Sequence, residues 1–172
     1  LPSSQNWSSV TYGNGKFVTV GMYSNIFAYS TNGINWTQST LPSYQRWQSV
    51  TYGVDKFVAL SWSSNIFAYS TNGINWTQST LPSSQNWSSV TYGNGKFVIV
   101  ANNSNISAYS TDGINWTQST LPSNASALTY GGNKFVAVAG NRNISVYSTD
   151  GINWIQSTLP VSANWSSITY GN

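Results

Sequence analysis

Short runs of β-branched and aromatic residues alternate with Ser, Asn and Gly along the whole chain. In the first 40 residues these runs cover residues 7–12, 16–20, 25–29 and 35–39. β-Branched and aromatic side chains favour a pleated surface, and no run shows the roughly 3.6-residue period of an amphipathic helix. The pattern therefore predicts four short β-strands in this stretch.

The same stretch recurs with few changes. Full copies occupy residues 1–40, 41–80 and 81–120, a copy that is two residues shorter occupies 121–158, and a partial copy occupies 159–172. A period of this length is typical of arrays in which each unit buries its apolar surface against its neighbours. We therefore expect one repeat domain over residues 1–172, with an all-β fold: a β-propeller of four-stranded antiparallel blades, about 40 residues per blade.

The sequence predicts the hairpins but leaves open which strand of each blade is innermost and what the ends of the array contact. Asn14-Gly15 and Asn32-Gly33 suit type I′ turns, and Leu1-Pro2 opens the connection between units. Four units plus one extra first strand make seventeen strands, which does not divide into four-stranded blades. If the first strand is innermost, the surplus strand is residues 168–170; if it is outermost, the surplus strand is the N-terminal one. Open strand edges favour self-association through the propeller ends or packing against the rest of a longer parent chain.

The composition excludes most catalytic chemistry. Only 5% of the residues are charged, and the chain contains no His, Cys or Glu. Its carboxylates, Asp55, Asp112 and Asp150, lie in different units, so we expect no acid–base pair, no enzyme activity, no catalytic residues and no cofactor. A net charge of +3 is too small and too dispersed to favour nucleic acid, and no apolar run is long enough for a membrane span.

A seven-residue segment ending in Trp marks the third turn of each unit. Residues 30–36 read Ser-Thr-Asn-Gly-Ile-Asn-Trp, and the segment returns at 70–76, 110–116 and 148–154. It resembles the Asp-box, or BNR, repeat of sialidase-type propellers, which implies the propeller fold. The resemblance does not extend to catalysis, because those enzymes use an arginine triad and a Tyr–Glu pair, and this chain has two Arg and no Glu. We interpret the Asn or Asp of the segment as a structural turn residue; a calcium ligand is the alternative.

The loops fall on two faces of the predicted ring. Successive connections of an up-and-down sheet alternate between faces, so the loop between units and the loop between the second and third strands share one face. The copies differ most in these two loops: Gly21-Met22-Tyr23 becomes Ser61-Trp62-Ser63, for example. Drift of exposed loops explains such variation, and so does a binding face.

Aromatic rings and amide side chains on that face suit an uncharged sugar, because rings stack on the sugar and amides bind its hydroxyls. The alternative for the recurring Trp of the first strand is packing between blades. The predicted carbohydrate-binding residues are Gln5, Asn6, Trp7, Tyr23, Arg46, Trp47, Trp62, Asn86, Trp87, Asn102, Asn164 and Trp165. We predict no metal site.

These observations favour a non-catalytic, lectin-like propeller that binds glycans at several sites, in an extracellular or cell-surface location. The first alternative is a structural or protein-interaction propeller. A second is an engineered or recently amplified repeat with no evolved ligand, since residues 1–20 and 81–100 differ only at Thr19 and Ile99.

Overall fold

The computed structural model describes residues 1–140 and 142–171, and within them sixteen strands form four antiparallel sheets. Each sheet is one blade, with its strands in chain order. Blade one contains β1 (Trp7–Gly13), β2 (Lys16–Gly21), β3 (Ser24–Ser30) and β4 (Thr37–Gln45). Blade two contains β5 (Trp47–Gly53), β6 (Lys56–Ser61), β7 (Ser64–Ser70) and β8 (Thr77–Gln85). Blade three contains β9 (Trp87–Gly93), β10 (Lys96–Ala101), β11 (Ser104–Ser110) and β12 (Thr117–Ala125). Blade four contains β13 (Ala127–Gly131), β14 (Lys134–Val138), β15 (Arg142–Ser148) and β16 (Ile155–Ala163).

The first strand of each blade is the innermost one. β1 contacts β5, β5 contacts β9, and β9 contacts β13, whereas the fourth strands of neighbouring blades barely meet. This arrangement settles the choice that the sequence left open. The surplus segment is therefore the C-terminal one. The prediction of a seventeenth strand there is wrong, because residues 164–171 follow β16 without forming a strand.

The hydrophobic core lies between blades rather than within them. One cluster joins Val18, Val20 and Phe27 of blade one to Trp47 and Phe57 of blade two. Equivalent clusters join blades two and three, and blades three and four. Both faces of each middle sheet are covered, which explains why β6 and β10 are buried along nearly their whole length instead of alternating.

The fourth strand is longer than its sequence predicts. We expected it to end at residue 39 and the connection between units to begin at Leu41-Pro42, but β4 continues to Gln45. Its pairing with β3 jumps from Ile26–Thr40 to Ser24–Gln45, so the intervening residues form a bulge. β4 is an edge strand, where a Pro without an N–H group is tolerated, and Leu41 anchors the bulge by burying its side chain in the core.

The two predicted turns differ from each other. Asn14 and Gly15 both have positive φ, 45° and 70°, as a type I′ turn requires. The prediction of the same turn at Asn32-Gly33 is wrong, because only Gly33 has positive φ there and the loop spans residues 31–36 between β3 and β4. The Asn32 side chain shapes this longer loop, as described below.

The two ends of the array do not meet. Among the described residues, no strand of blade four has substantial contact with a strand of blade one. No helix within residues 1–140 and 142–171 has the length and hydropathy of a membrane span.

Candidate functional site

The loops between units and the loops between second and third strands lie side by side, as predicted, on what we call the loop face. Backbone hydrogen bonds join them: Met22 donates to the Asn6 carbonyl, Trp62 to that of Arg46, and Asn102 to that of Asn86. The β1–β2 and β3–β4 turns share the opposite face, where Asn14 Nδ2 donates to the Thr71 carbonyl of the next blade. Each loop is thus held by its own blade and the adjacent connection.

A cavity of about 440 Å³ opens on the loop face. It is lined by loop residues of blades two, three and four, by the starts of their inner strands, and by the C-terminal segment. The lining residues are Arg46, Gln48, Trp62, Ser88, Asn102, Asn103, Ser126, Gly140, Asn164, Trp165 and Ser166. The groups they present are indoles, amides, hydroxyls and a single guanidinium, a set suited to binding a polyhydroxylated molecule.

Arg46 forms one wall of this cavity and lies within cation–π distance of two aromatic rings. Its guanidinium carbon lies 4.5 Å from the ring centre of Trp62 and 5.5 Å from that of Tyr23. Cation–π contacts at these distances hold the guanidinium in place without using its N–H donors. Arg46 Nε and Gln48 Oε1 are both buried and without a hydrogen-bond partner in the protein.

A second depression of about 310 Å³ adjoins the cavity on the other side of the Arg46–Trp62 pair. It is lined by Tyr23, Tyr44, Gln45 and Ser63 together with that pair. Tyr23 is 58% exposed and Tyr44 is 68% exposed, so both phenol rings offer a free surface. The two depressions lie next to each other on the loop face and are separated by Arg46 and Trp62, which line both; together we call them the trough.

The structure brings together half of the residues that the sequence singled out. Arg46, Trp62, Asn102, Asn164 and Trp165 line the cavity, and Tyr23 lines the adjoining depression. The side chain of Asn164 rests on Gly140, where a Cβ atom would collide with its Oδ1. Trp165 Nε1 donates to the Arg142 carbonyl at 2.9 Å, which fixes the orientation of the indole.

Three recurring Trp residues lie elsewhere. Trp47 and Trp87 are completely buried, and their Nε1 atoms donate to the Ser43 and Ser83 carbonyls. Neither ring has a free face, so their assignment to a sugar-stacking platform is corrected: they form the core between blades. Trp7 lies on the uncovered side of blade one, away from the cavity.

Gln5, Asn6 and Asn86 do not line the cavity. Asn86 Oδ1 accepts a hydrogen bond of 2.7 Å from Ser63, and Asn6 Nδ2 lies 3.9 Å from Met22 Sδ. Gln5 packs beside Gly21. These amides support the loops instead of facing a ligand in the cavity.

Sequence reasoning missed a polar column at the start of the innermost strands. Gln48, Ser88, Ser126 and Ser166 each follow the recurring Trp position by one residue, and all of them line the cavity. A signal was present: the column reads Ser in most copies and Gln in the second. The sequence shows that these residues share one position in the repeat, but only the structure, in which the first strand is innermost, places them around one cavity.

The turns on the opposite face use their polar atoms internally. Asp112 Oδ1 accepts from the backbone N–H groups of Ile114 and Asn115, while Ser110 Oγ accepts from the Gly113 N–H and donates to the carboxylate. Asn32 makes the same backbone contacts in blade one. Partial burial acts to raise the pKa of Asp112, but these donors outweigh it and hold that pKa well below its usual range.

Asp150 repeats this arrangement, and its pKa is lowered for the same balance of reasons. The acceptor oxygens are thus engaged within the turn, which supports a structural role over a calcium site. Within residues 1–140 and 142–171, no three His, Cys, Asp or Glu side chains are grouped in a way that could hold a metal ion.

Solved structures share this architecture at low sequence identity. Virginiamycin B lyase from Staphylococcus aureus superposes with a TM-score of 0.79 at 17% identity, over 92% of this chain and 57% of the lyase. YCF48 from Cyanidioschyzon merolae gives a TM-score of 0.75 at 15% identity, over 99% and 61%. The GH74 enzyme of Niastella koreensis gives 0.63 at 22% identity, over 90% and 24%.

These likenesses concern the fold, and the chain spans less than two thirds of each of these structures. Among curated proteins, none matches this sequence. A family model described as the DUF6242 beta propeller domain matches residues 40–171, which is most of the chain. The chain therefore belongs to the DUF6242 beta propeller domain family.

Proposed function

We propose that this propeller is a non-catalytic carbohydrate-binding module and that its ligand occupies the loop-face trough. The observation that carries the proposal is the grouping of Trp62 and Trp165 with the amides of Gln48, Asn102 and Asn164 around one cavity. Indole rings stack on the apolar face of a sugar, and amides both donate to and accept from its hydroxyls. A lectin-like role of this kind suits an extracellular or cell-surface protein.

The guanidinium of Arg46 is the central hydrogen-bond donor of the proposed site. It is the only ionisable side chain among the residues that line the cavity. Because cation–π contacts with Tyr23 and Trp62 already hold the guanidinium, it loses little freedom on binding a hydroxyl or ring oxygen.

The same lining supports binding without catalysis. It contains no Asp, Glu, His or Cys, so no general base stands ready to activate a Ser hydroxyl or a water. Ser88 Oγ, moreover, is committed as a donor to the Ser126 carbonyl at 2.6 Å. We infer that the turns on the opposite face are Asp-box-like and serve the fold alone.

One extended ligand fits this face better than equal sites on every blade. The Arg46–Trp62 pair occurs only in blade two, and the corresponding residues Asn86 and Asn102 of blade three have different shapes and charge. The cavity and the adjoining depression share Arg46 and Trp62. An oligosaccharide crossing this pair would contact both, with the exposed Tyr23 and Tyr44 as a further stacking surface.

Binding is tested by isothermal titration calorimetry with a panel of neutral tetrasaccharides built from glucose, N-acetylglucosamine, xylose or galactose. We expect at least one to bind and Trp62→Ala to weaken it by about tenfold or more, the usual effect of removing a central aromatic contact. Trp36→Ala is the matched control, since Trp36 packs at the turn on the opposite face. Equal weakening by both variants, or no binding across the panel, contradicts the proposal.

A structural propeller that assembles from copies of itself is the second candidate. The observation that favours it is the apolar side of blade one, where Val10 and Tyr12 are each 59% exposed. Exposed apolar surface of this kind marks an interaction site. Assembly and sugar binding use different residues, so both functions can exist in one protein.

A further inference from the structure

We propose that the glycan bound in the trough carries a carboxylate, as a uronic acid residue does, and that the guanidinium of Arg46 pairs with this group. The inference rests on the proposed function and names the class of sugar that the site selects. A neutral sugar of the same shape keeps the stacking and amide contacts, so it should still bind, but more weakly, because a charge-assisted hydrogen bond is replaced by a neutral one.

Half of the residues that distinguish the second unit from the first surround Arg46. Residues 41–80 and 1–40 are identical except at Tyr44, Arg46, Gln48, Val54, Asp55, Ala59, Leu60, Ser61, Trp62 and Ser63. Those that line the trough are Tyr44, Arg46, Gln48, Trp62 and Ser63. Arg46 lies at the position where the first and third units have Asn6 and Asn86. In an array of nearly identical units, this one place thus combines a cation with aromatic and amide side chains.

The charge of Arg46 has no acidic partner on the loop face. Asp55 lies in the turn between β5 and β6, and Asp112 and Asp150 lie in the turns that follow β11 and β15, so all three are on the opposite face. There Asp55 accepts a hydrogen bond from Tyr52, and the other two accept from the backbone of their own loops. No carboxylate side chain that the structure describes therefore faces Arg46, and a ligand carboxylate would supply the missing counter-ion.

Partial burial makes this lack of a counter-ion costly. Arg46 is half-buried, and its Nε atom is enclosed without a hydrogen-bond partner in the protein. The cation–π contacts with Trp62 and Tyr23 offset part of the lost hydration and leave the N–H donors unused. Because Nε is enclosed, a ligand would approach the terminal Nη1 and Nη2 groups from the depressions that Arg46 lines. These two groups can meet both oxygens of one carboxylate, which is the geometry in which Arg binds most strongly.

The charged side chains are divided unequally between the two faces. The loops of the loop face carry Arg46 and Arg142 and, among the described residues, no Asp. The opposite face mixes all three Asp with the Lys residues that begin the second strands, namely Lys16, Lys56, Lys96 and Lys134. A surface with charge of one sign attracts ligands of the other sign and speeds their approach. An acidic glycan is therefore drawn to the loop face in preference to the turns.

A single cation suits a ligand group with a single negative charge. Arg46 is the only ionisable side chain that lines the cavity. A carboxylate carries one charge, whereas a phosphate ester carries about −1.5 to −2 near pH 7 and would need a second cation. The amides of Asn102 and Asn164 line the same cavity and can bind the hydroxyls next to the carboxylate. The lining thus fits a sugar acid better than a sugar phosphate.

Isothermal titration calorimetry of the full chain tests the inference with matched neutral and acidic sugars. One pair is xylotetraose and xylotriose bearing one glucuronic acid; the other is a galactose tetrasaccharide and tetragalacturonate. We expect the acidic member of at least one pair to bind about tenfold more tightly or better than its neutral partner, the usual gain from a hydrogen bond to a charged group. Raising the NaCl concentration to about 0.5 M should reduce this preference and leave neutral binding unchanged, because salt screens charge pairs and not stacking.

Variants of Arg46 locate the preference. Arg46→Gln should weaken the acidic sugar by about tenfold or more and bring it to the level of its neutral partner, which loses less. Arg46→Lys should keep part of the preference, because an ammonium retains the charge without the planar pair of donors. Lys134→Gln is the matched control: it removes the same charge from an exposed position on the opposite face and should leave the preference intact. Thermal melts confirm that each variant is folded.

The outcomes separate this inference from the proposed function on which it rests. Equal binding of both members of each pair overturns the inference and leaves the proposed function standing. A preference that survives Arg46→Gln, or one that Lys134→Gln removes to the same extent, also overturns it, because the charge of Arg46 would then not be its source. Absence of binding by every sugar, neutral or acidic, overturns both.

Discussion

Asp112 and Asp150 show how one side chain can define a turn. Each carboxylate accepts two backbone N–H groups, a Ser hydroxyl and an Asn amide within its own loop. Asn32 and Asn72 accept the same backbone donors in blades one and two. The turn therefore needs an oxygen acceptor at this position, and the negative charge adds strength to bonds that are already present.

The lowered pKa values of Asp112 and Asp150 predict an acid-sensitive part of the stability. A carboxylate whose pKa is lower in the folded state stabilises fully above its ordinary pKa of about 4, and this contribution is lost as the pH falls further through the folded value. Guanidinium unfolding should show a constant contribution from pH 7 to 5 and a decline from about pH 4 to 2. Asp112→Asn/Asp150→Asn should remove most of that decline and cost about 1 kcal/mol per site at neutral pH.

The control for this experiment is Asp55→Asn. Asp55 lies in the β5–β6 turn, where it accepts a hydrogen bond from Tyr52, so the change leaves the two loops intact. That variant should keep the acid-induced decline. An equal decline in the Asp112/Asp150 double variant would show that the loss of stability has another source.

The hairpins tolerate one unfavourable residue. The β1–β2 and β9–β10 turns have Asn and Gly at positive φ, the residues that suit this conformation. The β5–β6 turn instead places Val54 at φ 43° and Asp55 at φ 54°. A β-branched residue is strained there, so the packing of blade two must hold the turn in shape.

Val54→Asn should relieve this strain. Because Val54 is 41% exposed and lies outside the interface clusters, little burial is lost, and we expect the free energy of unfolding to rise by about 1 kcal/mol. Asn14→Val places the same residue in the corresponding turn of blade one and should lower stability by a similar amount. Thermal melts of both variants provide the measurement, and a destabilised Val54→Asn chain would contradict the account of this turn.

How far the sequence predicts the molecule depends on the range of the interactions. Strands, the Asn14-Gly15 hairpin and the propeller follow from local patterns and their repetition. The extension of β4 does not, because the burial of Leu41 against the next blade stabilises it. The burial of Trp47 and the meeting of Arg46 with Tyr23 likewise depend on how far apart neighbouring blades lie, which no single repeat encodes.

The array as a whole gains stability chiefly where blades meet. Each interface combines an apolar cluster, a Tyr ring seated on a Gly, and hydrogen bonds such as that from the Val50 N–H to Ser9 Oγ. The same three components recur with small changes between successive blades. Stability should therefore be a sum of neighbour terms, so that weakening one interface weakens the array locally.

Gly53→Ala tests the contact between Gly53 and the ring of Tyr92 in the next blade. The new methyl group would overlap the ring of Tyr92, and such overpacking typically costs about 1–3 kcal/mol of unfolding free energy. Gly21→Ala is the control, since the nearest atoms to its Cβ position lie at 3.7 Å and its φ is not positive. Chemical denaturation should show a large loss of unfolding free energy for Gly53→Ala and almost none for Gly21→Ala. Equal losses would mean that the Tyr–Gly contact does not stabilise the interface between blades.

Tryptophan indole resonances in a proton–nitrogen NMR spectrum test the loop-face site most directly, because the nine Trp residues report on the core, the turns and the trough at once. The measurement is a titration with each tetrasaccharide of the panel to about 10 mM, which detects even weak binding. The account predicts that the Trp62 and Trp165 signals move, while those of the buried Trp47 and Trp87 and of Trp36 stay in place. No movement with any sugar, or movement confined to Trp36, would contradict it.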